Sequence, residues 1–222
     1  MKMNRKKAIY TVAGIAVGAF CLYHSVYITS LSARNEELMR QNFKPEQTVA
    51  HFWENDLEGL LEKAVELRTF DSLLVRNPQS LAQSYGKTLG IGAPYSIIVR
   101  GTGTIDSIGN ERIYLHPVSA PEPGGKPRVY AIQTAFIFSN TVREASGAFH
   151  IDDFENTMDF NLISAELNRR IVEEVAAPMA EKLKPGEQVD FYGAADVHPG
   201  KAVPVVMDVV PLRLTVAAYG QQ

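Results

Sequence analysis

FHIDDFENTMDFNLISAELNRRIVEEVAAPMAEKL, Phe149 to Leu183, holds the one long helical signal in the second half of the chain, with strand-rich sequence on both sides. Ile163, Leu167, Ile171 and Val175 recur every four residues and line one helical face, while Glu166, Arg169, Arg170, Glu173 and Glu174 fill the other. Such a helix is laid onto something. Strands interrupted once by a helix of this kind predict a small barrel with the helix packed across it.

Strand signals surround that helix. Tyr95 to Thr104 carries Ile97, Ile98 and Val99 and ends in Gly101-Thr102-Gly103, glycines that permit a bulge or a sharp bend. Ile105 to Ile108, a turn at Gly109-Asn110, and Arg112 to Pro117 read as a hairpin. The proline- and glycine-rich run from Ala120 to Pro127 is a loop. Tyr130 to Phe138 reads as a strand, as do Gln188 to Gly193, Val203 to Val209 and Leu212 to Val216, with Pro204 and Pro211 marking edges or breaks. The result is an α+β chain with an OB-like barrel of five to six strands at 93–218, its helix between the third and fourth strands. A β-sandwich is the competing architecture, and the single well-placed helix favours the barrel.

Before the barrel, 43–92 reads as a helical neck. Pro45 suits a first helical position, and Val49, Trp53, Leu57, Leu60, Ala64 and Leu67 follow at three- and four-residue spacing. An aromatic on such a stripe belongs to a core, which sets the expectation for Trp53. A second short helix runs from Asn77 as N-cap, through Pro78, to a stop at Gly86. Gly86-Lys87-Thr88 is not the tail of a phosphate loop, because Leu81 stands where the earlier glycine is required.

The N-terminus has its own character. Residues 1–7 form a basic tail carrying Lys2, Arg5, Lys6 and Lys7, and 8–31 contains no Asp, Glu, Lys or Arg. As a helix, those residues reach about 36 Å, enough to cross a bilayer. The basic flank places the N-terminus in the cytoplasm and the body in the periplasm or its equivalent, with 32–42 as connector and 219–222 as tail. A cleaved secretory signal is the alternative, although a polar stretch from Tyr23 to Thr29 separates the apolar run from the small residues Ser30 and Ser32. Attachment of lipid to Cys21 is a third, and Phe20 stands where that processing needs a small residue.

Composition narrows the chemistry. The 222 residues are 45% hydrophobic, enough to build a core, and beyond the basic tail 18 basic side chains face 25 acidic ones. An acidic body argues against nucleic acid as a partner. Cys21 is the single cysteine, so neither an intrachain disulfide nor a zinc cluster of cysteines forms. His116, His150 and His198 lack the close spacing of metal motifs toward Asp152, Asp153 and Asp196, and Asp152-Asp153 reads as helix capping. With no nucleophile elbow either, no catalytic residue, metal or cofactor is expected.

Phe43 and Pro45 with Trp53, Asn77-Pro78 before Tyr85-Gly86, Pro94-Tyr95 running into Gly101-Thr102-Gly103, Arg143-Glu144-Ala145, Phe154 with Asn156, Asp159-Phe160 and Leu167-Asn168 together carry a resemblance. The chain resembles the predicted periplasmic lipoproteins of unknown function often encoded beside sugar-import ABC transporters. The resemblance implies an OB-like barrel and makes the transporter subunits or their substrate-binding protein the expected partners. It draws attention to Arg143, Asn156, Asp159 and Asn168 as candidate contacts to a ligand or partner. Their competing role is structural: Arg143 pairing with Asp159, and the asparagines serving backbone groups. Where the family tends to show Gly-Pro-x-Ile-Arg-Gly, this chain reads Thr134-Ala135-Phe136-Ile137-Phe138-Ser139. The sequence therefore predicts a membrane-anchored, non-catalytic partner-binding module, with a small-ligand (sugar-binding) barrel and a hydrolase as alternatives.

Overall fold

The computed structural model describes residues 43–90, 92–118 and 128–217, together with Gly14, Ala16 and Phe20. The chain divides into two compact units, Met1–Lys44 and Pro45–Gln222. In the first, Gly14, Ala16 and Phe20 are helical and exposed. The rest of the expected membrane span at 8–31 lies outside the described residues, as do the basic tail at 1–7, the connector at 32–42 and the tail at 219–222. Among the described residues no helix is long and apolar enough to cross a membrane.

The second unit is built on five strands: β2 (Tyr95–Ile108), β3 (Arg112–Pro117), β4 (Val129–Gln133), β5 (Gln188–Val197) and β6 (Val206–Val216). A two-residue strand, β1 (Val65–Glu66), adds to β2 in parallel. The sheet runs β1-β2-β3-β4-β6-β5, and β5 pairs back onto β2, which closes the barrel. All neighbours in the ring are antiparallel except β4 and β6. This is the five-stranded OB arrangement, with the helices between its third and fourth barrel strands.

Two pairs of expected strands are single strands. β2 runs unbroken through Gly101 and Gly103, pairing with β5 as far as Thr104 and with β3 from Gly103 onward. Its register slips between Ile105 and Ser107, beyond the glycines. Gly101 instead makes room for a neighbour, since a Cβ there would stand 2.8 Å from the Cβ of Leu67. β6 likewise continues through Pro211. It pairs with β4 only from Val206 to Val209, so Pro211 has β5 as its one neighbour and faces Gly193 at a register shift. In the other direction, the strand expected to reach Phe138 stops at Gln133.

Helices α1 (Pro45–Asn55), α2 (Leu57–Leu61), α3 (Leu67–Arg76) and α4 (Pro78–Tyr85) precede β2. The single amphipathic helix expected over Val49 to Leu67 is therefore broken after Asn55, and the block at 43–92 lies almost wholly in the barrel's own compact unit. Phe52 is buried and its ring meets Phe149 at 5.3 Å. Trp53, expected in the core, is only half-buried beneath the Arg170 guanidinium at 5.1 Å. Asn77 caps α4 by accepting the Ser80 N–H at 3.0 Å. Lys87 forms a backbone bridge with Ser96, so the Gly86-Lys87-Thr88 stretch is part of the sheet margin.

The long helical run begins later than Phe149. A 3-10 turn covers Ile151–Asp153, with the Asp153 carboxylate accepting the His150 N–H at 3.3 Å, and α6 (Thr157–Arg170) starts from Asn156 as its cap. Ile171–Ala176 is then wound as a π-helix before α7 (Ala177–Ala180). Ala177 N–H donates to Val172 O, five residues back. Pro178 explains the widening: it has no N–H for the Glu174 carbonyl, and its ring needs the space. The extra residue shifts the apolar stripe. Ile163, Leu167 and Ile171 are fully buried, and the next fully buried position is Ala176, while Val175 is half-buried. Glu166, placed on the solvent face by the four-residue pattern, is buried too, with Arg169 donating to both its oxygens at 2.8 and 2.6 Å.

α3 is tied to the barrel by a polar contact beneath it. The Tyr130 hydroxyl donates to Asp71 Oδ1 at 2.6 Å, and Arg128 Nε donates to the same oxygen at 2.7 Å. Burial first, then the Asp71 charge, pushes the Tyr130 hydroxyl well above its ordinary range. A folded pKa raised above the unfolded value near 10 gives stability that is present below about pH 10 and lost above it. Urea midpoints measured from about pH 9 to 11.5 should therefore fall more steeply in the wild type than in Tyr130→Phe. The difference should approach about 1.4 kcal/mol per pH unit. Parallel curves would show that Tyr130 ionises freely in the folded protein.

Candidate functional site

α5 (Thr141–Ser146) is a short helix wedged between the barrel and α6. The Ser96 and Thr141 hydroxyls donate to opposite oxygens of Asp196, at 2.5 and 2.9 Å, which fixes α5 against β2 and β5. From that helix Arg143 projects inward, 2% exposed. Its Nε and Nη2 donate to Glu144 Oε1 at 3.1 and 2.8 Å, and its Nη1 donates to the Phe160 carbonyl at 2.9 Å and Asn161 Oδ1 at 3.3 Å. The guanidinium also lies 3.7 Å from the centre of the Phe160 ring.

The pairing expected between Arg143 and Asp159 is thus absent, and Glu144 takes the role. Asp159 is held instead by Asn156, whose Nδ2 donates to its carboxylate at 2.9 Å while Asn156 Oδ1 accepts the Asp159 N–H at 2.9 Å. Asn156 thus satisfies one of the free N–H groups at the start of the helix and holds the Asp159 carboxylate beside it. Arg143, Asn156 and Asp159 therefore fasten the start of α6. The fourth candidate lies elsewhere.

Asn168 Nδ2 donates to the Ser139 carbonyl at 2.8 Å, clipping the segment after β4 to the side of α6. In that segment Phe136 has a φ of 51°, the left-handed region that a bulky side chain rarely enters. The turn buries Ile137 and throws its neighbours outward, leaving Phe136 71% and Phe138 90% exposed. Between this segment, α6 and the π-helical turn lies an apolar cleft of about 440 Å³, bordered by Phe136, Phe138, Ser164, Asn168 and Val172. Ser139 and Ser164 are among its lining residues, but their Oγ atoms are buried away from its open space and have no hydrogen-bond partner among the described residues. At the rim, Arg169 pairs with both Glu166 and Glu173. The Glu166 contact holds the Arg169 guanidinium protonated above its already high range.

Other polar groups singled out in the sequence do not converge. His116 stands 3.9 Å from Asp106, Asp196 is occupied by two hydroxyls, and no group of three His, Cys, Asp or Glu comes together among the described residues. Sequence reasoning missed Phe136 and Phe138, which it placed on a strand. The available signal was the departure from the family's glycine- and arginine-containing run, which coincides with this segment.

A family model described as "Predicted periplasmic lipoprotein (DUF2291)" matches residues 16–215. Among solved structures, an OB-fold protein from Thermotoga maritima MSB8 is similar, with a TM-score of 0.69 and 22% identity over 79% of this chain and 99% of that one. At that identity the likeness speaks to the fold alone. No curated protein matches.

Proposed function

The chain belongs to this family of predicted periplasmic lipoproteins, and from that premise we propose that it is a non-catalytic, membrane-tethered module that binds a protein partner through the cleft beside α6, the partner being a component of a sugar ABC transport system. The observation that carries the reading is the pair Phe136 and Phe138, presented to solvent at 71% and 90% exposure by a left-handed backbone. Exposed aromatic anchors around a shallow apolar cleft are the makings of an interface, whereas a small sugar needs many convergent polar groups. A hydrolase reading has less behind it, because neither the Ser139 nor the Ser164 hydroxyl is hydrogen-bonded to a base that could activate it.

Tethering sets the affinity required. Partners confined to one bilayer meet at raised effective concentration, so a modest patch suffices. Capture from native membranes with the full chain should recover transporter subunits, and Phe138→Ala or removal of residues 1–31 should lose most of them. A melting shift of the soluble domain with a sugar, and no transporter subunit in the capture, would reverse the reading in favour of a sugar-binding barrel.

The tether belongs to the same proposal: 8–31 stays in place as a single-pass anchor, and Cys21 is unmodified because Phe20 spoils the site for lipid transfer. Intact mass of membrane-extracted protein should equal the uncut chain. A mature N-terminus between Ser30 and Arg34, or the added mass of a diacylglycerol on Cys21, would replace the anchor with a cleaved signal or a lipid.

A further inference from the structure

The β2–β3 hairpin carries a hollow whose chemistry differs from that of the cleft beside α6. It measures about 290 Å³ and is lined by Gly109, Asn110, Glu111, Arg112 and Tyr114. Alternation along β3 buries Ile113 and Leu115 in the barrel and leaves Arg112 and Tyr114 side by side on its outer face. The hairpin tip is held in place. Gly109 N–H donates to the Arg112 carbonyl at 2.8 Å, and Thr134 N–H donates to the Glu111 carbonyl at 2.8 Å. A Cβ at Gly109 would stand 4.0 Å from Tyr114 Cε2, so the tyrosine ring reaches the turn where the glycine puts no side chain over it. Around that ring the polar groups are open to solvent and have capacity to spare. Arg112 Nε donates to Asp208 Oδ1 at 3.0 Å, while its Nη1 stands 3.7 Å from Glu111, too far for a hydrogen bond. The Asn110 amide and the Tyr114 hydroxyl form no hydrogen bond among the described residues.

The balance of charge selects the ligand. One guanidinium faces two carboxylates, Glu111 and Asp208, so the hollow does not attract an anion. What remains is a set of free donors and acceptors beside an aromatic face, which matches a ring bearing vicinal hydroxyls on its edge and C–H groups on its face. The volume is at the small end for ligand pockets, which start at about 300 Å³. We infer that the hairpin hollow binds a neutral saccharide, one pyranose ring lying against Tyr114 with its hydroxyls shared among Asn110, Glu111 and Arg112. Asp208 is a positioning residue: by holding Nε it leaves both Nη groups of Arg112 for the ligand. The site is separate from the partner surface proposed above and does not rest on it.

The test uses the full chain in nanodiscs and three probes, with saturation-transfer NMR as the readout: methyl glucoside, methyl galactoside and, as an anion, succinate. Transfer to the ring protons of at least one glycoside is expected, with little to succinate. Tyr114→Ala should abolish it, and Asn110→Ala should weaken it by about two- to tenfold, the worth of one hydrogen bond. Tyr114→Ala also removes packing from the barrel wall, so Gly109→Leu is the second variant. Gly109 lies outside the left-handed region, and a leucine there fills the hollow without touching its polar groups. It should lose glycoside transfer while its melting temperature stays near that of the wild type. Transfer to neither glycoside, equal transfer to succinate, or glycoside binding indifferent to Gly109→Leu and Asn110→Ala would overturn the inference. Glycoside transfer abolished by Phe138→Ala would put the sugar in the cleft beside α6 and overturn it as well. Capture of transporter subunits that depends on Phe138, without glycoside transfer, would sink this inference and leave the partner reading standing. Glycoside transfer that depends on the hairpin, without any captured subunit, would do the reverse.

Discussion

Replacing Arg143 by Met should lower the free energy of unfolding by about 3 to 5 kcal/mol, the usual consequence of removing one partner from a buried ion pair. The loss has identifiable parts. Glu144, with 14% of its side chain exposed, would keep a buried carboxylate without its cation, and the Phe160 carbonyl would lose its donor. The stacking on Phe160 would go too. Arg143→Met with Glu144→Leu should recover a good part of the loss, because the desolvated carboxylate disappears with its partner. Denaturant midpoints for the two variants decide the matter. If Arg143→Met unfolds like the wild type yet fails to capture partners, Arg143 is a contact residue and its position in the core has been misjudged.

The second large effect is expected at Leu167. It is fully buried, so Leu167→Ala should cost about 2 to 5 kcal/mol through lost transfer energy and the cavity left behind. Glu173 lies one and a half turns further on, its side chain 58% exposed and paired with Arg169, and Glu173→Ala should cost no more than about 0.5 kcal/mol. Equal urea midpoints would contradict the orientation of α6.

Much of this architecture is written locally. The strand order with its interrupting helix, the Asn77 cap and the stripe through Ile163, Leu167 and Ile171 depend on neighbouring residues, and periodicity reads them directly. The departures share another cause, which is contact across the chain. Gly101 looks like a place to bend until Leu67 is seen pressed against it, and Pro211 looks like a strand end until β4 is seen to have stopped supporting that side. Glu166 follows the polar face in sequence, yet it is buried with Arg169 gripping both its oxygens. The candidate polar residues divide in the same way. Asn156 caps locally, as an asparagine before a helix should, and Arg143 pairs with its own neighbour Glu144, while its bond to the Phe160 carbonyl needs α5 wedged against α6. The cleft was the least legible part, since alternation through Ala135 and Ile137 suggests a strand, whereas strand pairing stops at Gln133 and the backbone then turns left-handed at Phe136.

The closure of the barrel determines when this protein can fold. Tyr95 of β2 meets Val197 of β5, so the first barrel strand to be synthesised finds that neighbour only after the whole helical insertion has followed it. Pairing over such a distance places the chain among slow folders, because the entropy of closing the loop is spent before the contacts that reward it. During that interval Ile97, Ile98 and Val99 are apolar and unpaired on the β5 side, a segment prone to the wrong partner. A chain delivered across a membrane from its N-terminus would meet this delay on the far side, where holding chaperones rather than the ribosome would govern its yield.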